Sequence, residues 1–142
     1  MKKKLIVFMT IVLVLCLIPT QIFGLQSADQ AESDVGILWT SITDYRNFFE
    51  VSSNGQALAN VRLYARSDID KVVIDASIQQ YVNGSWKTIK SWTSTSYSSS
   101  GYLNQTWYVS KGYYYRLVST GKVYQDDVLV EQTSYTGVSY WY

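Results

Sequence analysis

The chain has 142 residues, with 12 Lys/Arg against 11 Asp/Glu, one Cys and no His. A net charge of +1 lacks the basic footprint of a nucleic-acid binder, and this length suits one domain with one core. The missing His removes the commonest general base, and with a single Cys the usual zinc sets and a disulfide framework go as well.

At the N-terminus Lys2, Lys3 and Lys4 form a basic n-region, an apolar run from Leu5 to Ile18 follows, and Pro19 closes it. This is the layout of a secretory signal peptide, and the apolar run is short for a membrane span. Cleavage after Gly24 or Ala28 leaves a small residue at the cut, so residues 1–28 are assigned to a signal-peptide helix and 29–142 to one domain. Ile22 and Gln26 are larger than the −3 position prefers, and an uncleaved chain would stay anchored in the membrane. Cys16 sits behind bulky Leu15 inside the apolar run and reads as filler, not as a lipid-attachment site. Removing the signal takes away every Met, Cys and Pro and three of the twelve bases, which leaves nine bases against eleven acids, about −2. The expected location is extracellular, with no membrane contact after cleavage and no nucleic-acid partner.

Residues 26–34 are small, polar and acidic, which reads as a flexible mature N-terminus. Residues 35–51 are less regular, and Ile37, Trp39 and Phe48 are expected to anchor a first strand on the core. From there the period is two. In 57–66, Ala57, Ala59, Val61, Leu63 and Ala65 share one face; in 71–82, Val72, Ile74, Ala76 and Ile78 do. Asn83-Gly84 supplies the two positive-φ positions of a type I′ hairpin turn. A two-residue loop then sets Tyr81 opposite Trp86, Ile78 opposite Ile89 and Asp75 opposite Trp92. The Asn83 and Asn104 glycosylation triplets carry little weight beside a bacterial-looking export signal. A Ser/Thr-rich loop is expected over 93–101, followed by strands near 102–109, 113–124 and 128–135 and an edge strand in the tail. No helical period appears after the signal. The expected fold is all-β: an antiparallel two-sheet sandwich, immunoglobulin-like.

"VSKGYYYRLV" (109–118) carries a resemblance. An apolar residue, a turn ending in Gly and a Tyr three residues later are similar to the tyrosine corner of immunoglobulin-like and fibronectin type III-like sandwiches. Carried over by position, Val109 ends the fifth strand and Gly112 makes the crossing. Tyr115 is the corner, whose hydroxyl turns back to an upstream backbone group, and Leu117 points inward. The chain departs from the pattern in having no disulfide pair and no Trp on 71–78, so the likeness speaks for architecture more than membership. Over residues 70–135 the chain also resembles small exported proteins of Gram-positive bacteria in a domain family of unknown function. The signal, "NGSWKTIKSW", "SKGYYYR" and the acidic final hairpin carry that likeness. It implies export and brings no activity with it.

Two clusters are candidates for chemistry. With Ile74, Ala76, Ile78 and Ile89 inward, Tyr81, Trp86 and Trp92 share the opposite face with Gln79 and Lys90, a flat aromatic surface ringed by hydrogen-bonding groups. The competing explanation is a second small cluster covered by a neighbouring loop. Asp68, Asp70 and Asp75 alternate as a weak calcium pattern, against the plainer explanation of a solvated turn. No Ser has a His to activate it, and no catalytic residue is assigned. The expected function is a secreted, non-catalytic binding or cell-surface-associated module without cofactor, its partner cell-wall carbohydrate or another extracellular protein. The alternatives are a self-associating extracellular or spore-surface matrix component, or a secreted effector or immunity-type protein.

Overall fold

Alternating strands with one aliphatic face must bury that face against another sheet, and here two antiparallel sheets do so. The computed structural model describes residues 38–142; the signal segment, the 26–34 stretch and Ile37 lie outside them. Eight strands follow in order: β1 Ile42–Val51, β2 Gln56–Ala65, β3 Lys71–Val82, β4 Ser85–Ser96, β5 Ser100–Tyr108, β6 Tyr114–Gln125, β7 Val128–Thr136 and β8 Tyr140–Trp141. One sheet has the order β1-β2-β5 and the other β4-β3-β6-β7, with β8 beside the start of β6. The fold is an all-β sandwich of two antiparallel sheets.

The three inner strands carry the core. Ala57, Ala59, Val61 and Leu63 of β2 face Val72, Ile74, Ala76 and Ile78 of β3 and Tyr115, Leu117 and Val123 of β6, all fully or almost fully buried. The buried Ser119 hydroxyl between the sheets is satisfied: Ser119 Oγ donates to Asn47 Oδ1 and accepts from the Tyr45 hydroxyl at 2.6 Å. Burial raises the Tyr45 pKa, and these hydrogen bonds oppose the rise.

The tyrosine corner forms as the resemblance implies. Gly112 has φ +90°, a conformation that favours glycine. Tyr115 is fully buried and its hydroxyl donates to the Ser110 carbonyl at 2.8 Å while accepting from Gln80 Nε2 at 3.0 Å. Burial pushes its pKa up, against the pull of those two bonds. Leu117 is inward, Tyr113 packs edge-on against Tyr115 at 6.5 Å, and Tyr114 faces outward.

Three edge strands break their own alternation by one residue. In β1 the extra residue is Thr43, so Ile42 and then Tyr45, Asn47 and Phe49 face inward. Phe49 is therefore the core residue and Phe48 is half exposed, which corrects the expectation for Phe48. In β7 the extra residue is Val130, which turns Glu131 to the inner row beside Val123. There its carboxylate accepts from the backbone N–H groups of Thr40, Ser41 and Ile42 at 3.0, 2.7 and 2.7 Å, tying β7 to the start of β1. The third bulge lies in β4. That strand also runs through Ser96, so the expected loop over 93–101 shrinks to a short turn. Thr95 and Ser96 pair with Val73 and Val72.

Candidate functional site

The hairpin β3–β4 turns at Asn83 and Gly84, both with positive φ, as a two-residue type I′ loop requires. Tyr81 lies opposite Trp86 and Gln79 opposite Thr88, so these four point away from the core. After Thr88 the ladder slips: Ile78 pairs with Lys90, and Ile89 is the extra residue. A β-bulge re-aims every side chain beyond it. Trp92 therefore lies opposite Ala76, not Asp75, and packs half-buried against the core.

The expected set of five divides accordingly. Tyr81, Trp86 and Gln79 share the outer face of the five-stranded sheet. Lys90 and Trp92 belong to the opposite side, where the Lys90 ammonium stands 4.4 Å from the Trp107 ring centre and 5.7 Å from that of Trp92. They close the gap between edge strands β4 and β5 and have no part in the outer surface.

What completes the outer surface comes from β6 and the tail. Tyr81 and Trp86 meet at 5.2 Å with their rings tilted by 55°. The Arg116 guanidinium stacks over Trp86 at 4.1 Å and donates from Nε to Gln79 Oε1 at 2.9 Å. A cation over a ring and a hydrogen bond at its edge hold this long side chain in one orientation, each contact worth about 1 kcal/mol. On the other side Tyr114 packs edge-on against Trp141 of β8 at 4.9 Å. Tyr81, Trp86, Tyr114 and Ser139 line an open depression of about 330 Å³. Tyr81 and Tyr114 keep 41% and 45% of their surfaces exposed, enough to meet a ligand.

Farther along the same face, the Asp75 carboxylate accepts from Lys122 Nζ at 2.8 Å and Thr93 Oγ1 at 2.6 Å. The Lys122 bond, then that from Thr93, lowers its pKa below the ordinary value. Asp68 pairs with Arg66 at 3.0 Å, and Asp70 accepts from the Asp126 backbone N–H at 2.7 Å. The three acids thus have separate partners, and among the described residues no group of three metal-ligating side chains converges. The calcium pattern is not realised.

Flat rings, a fixed guanidinium and amide and hydroxyl groups can stack on the apolar face of a ligand while bonding its polar rim. Comparison of the chain with protein-family models and with curated proteins gives no match. Arg116, Ser139 and Trp141 were not in the expected set. Alternation does put Arg116 and Tyr114 on one face of β6, but only the pairing of β6 with β3 brings them to the hairpin.

Proposed function

We propose that the protein is a secreted, non-catalytic binding module that holds cell-wall carbohydrate on the outer face of its five-stranded sheet. The supporting observation is the joint presence of the Tyr81–Trp86 wall, the stacked Arg116 and the half-exposed Tyr114 around one open depression. The aromatic faces match the C–H faces of a sugar ring, and Arg116, Gln79 and Ser139 can serve its hydroxyls. Secretion is favoured by the basic, apolar and small-residue order of residues 1–28.

Retention of the purified protein on insoluble cell-wall polysaccharide tests the reading. Trp86→Ala and Tyr114→Ala lose retention by tenfold or more with thermal midpoints close to that of the parent. Unchanged retention in both variants overturns it.

One observation favours a second reading, self-association in an extracellular matrix. Edge strand β7 begins with Val128, Leu129 and Val130, exposed by 62, 46 and 42%, and an open apolar edge invites pairing with another copy. Sedimentation that shifts with protein concentration and is abolished by Leu129→Lys supports that reading; a concentration-independent monomer rejects it.

A further inference from the structure

The outer face of the three-stranded sheet places charge where a strand ladder disfavours it. Arg46 of β1 pairs directly with Arg62 of β2, and like charges opposite one another weaken an antiparallel pair. Arg46 is partly neutralised by Asp44, with Nε to Oδ2 at 2.7 Å, while its side chain stays 76% exposed. Arg62 has no carboxylate partner among the described residues; its guanidinium lies 5.3 Å from the centre of the Tyr102 ring. Two pairs further along, and so on the same face, Phe48 stands opposite Asn60, and Asn104 follows on β5. Asn60 Nδ2 donates to the Tyr102 hydroxyl at 3.1 Å. Arg46, Asn47, Phe48, Asn60 and Arg62 line an open cavity of about 350 Å³.

We propose that this face is a second binding site, for one acidic sugar unit of a polysaccharide, with the sugar carboxylate held between Arg46 and Arg62. Guanidinium forks match a carboxylate in geometry and charge, and an anion between them relieves the repulsion of the pair. The exposed Phe48 ring gives the sugar a flat apolar floor, and Asn60 with the Tyr102 hydroxyl meets its hydroxyl groups. Asp44 and Glu50 lie on the same face of β1, on either side of Arg46 and Phe48. They confine the positive charge to a single pair. That favours a polymer whose acidic units are separated by neutral ones over a continuous polyanion such as nucleic acid. The site shares no residue with the Tyr81–Trp86 surface, so it stands or fails separately.

The probe is hyaluronan, in which acidic and neutral sugars alternate, used in affinity electrophoresis of the full chain against uncharged dextran and against polyglutamate. Hyaluronan retards the protein and dextran does not. Arg62→Gln weakens this about tenfold, the scale of a lost charge-assisted hydrogen bond, and Phe48→Ala weakens it several-fold. Asp44→Asn, which frees Arg46 and removes a like charge from the ligand's side, strengthens binding. Thermal midpoints verify folding. If Arg62→Gln unfolds, Arg62→Lys keeps the charge, loses the fork and still weakens binding. Absence of retardation by hyaluronan, an unaffected folded Arg62 variant, or equal retardation by polyglutamate overturns the proposal.

Discussion

Replacing Tyr115 by Phe removes a single oxygen from the centre of the corner and leaves the ring in place. The ring is fully buried, and Phe retains its apolar contacts. What is lost is the bond to the Ser110 carbonyl at 2.8 Å and the bond from Gln80 Nε2 at 3.0 Å. A neutral hydrogen bond contributes about 1 kcal/mol net, and a buried partner left unpaired adds to the loss. Ser110 lies at the surface, where water replaces the hydroxyl, and Gln80 is only half-buried. The expected loss is therefore about 1–2 kcal/mol. For a domain near 100 residues that lowers the thermal midpoint by roughly 5–10 °C. Urea titration of the parent, Tyr115→Phe, Gln80→Leu and the double variant measures it, with an unchanged m-value showing that stability alone has moved. The two substitutions should couple by roughly 0.5–1 kcal/mol, since they remove the same bond. A Tyr115→Phe midpoint equal to that of the parent would refute the corner as a source of stability, whatever its geometry.

Two further expectations follow from the bulges. Burial raises the Glu131 pKa, but the three backbone N–H donors outweigh it and the carboxyl titrates below its ordinary value. A lowered folded pKa contributes stability above the unfolded value of about 4.3, and that contribution is lost as pH falls through the folded one. The parent should lose stability below about pH 4.5, while Glu131→Gln starts about 1 kcal/mol lower at pH 7 and shows a shallower acid limb; parallel limbs in chemical denaturation across pH would reject the clamp. Trp92→Ala should destabilise by about 2 kcal/mol, less than a fully buried Trp because the ring is half-exposed, and should not alter carbohydrate retention; the opposite pair of results would return Trp92 to the outer surface.

The hairpin half of the candidate site was legible. Asn83-Gly84 specifies the turn and the turn specifies the first few pairs, so Tyr81, Trp86 and Gln79 were placed correctly on one face. Lys90 and Trp92 were misplaced because a bulge has no signature in "SWKTIKSW": the alternation stays plausible with or without an extra residue at Ile89. Arg116 carried its face but not its neighbour, since strand adjacency between β3 and β6 joins residues more than thirty apart along the chain.

The same division runs through the fold. Sequence alone determined the inner strands β2, β3 and β6, because a strand paired on both sides and buried on one face must alternate without interruption, and its apolar residues record that. The corner followed too, because a glycine, a turn and a tyrosine at fixed spacing have one way to close. Tertiary structure decided the edges. A strand with one free side can absorb an extra residue at small energetic loss, and β1, β4 and β7 each do so. Those three residues determine that Phe49 and not Phe48 fills the core, that Trp92 turns inward and that Glu131 reaches the backbone of β1. Packing between the two sheets selects them, and no local pattern encodes that choice.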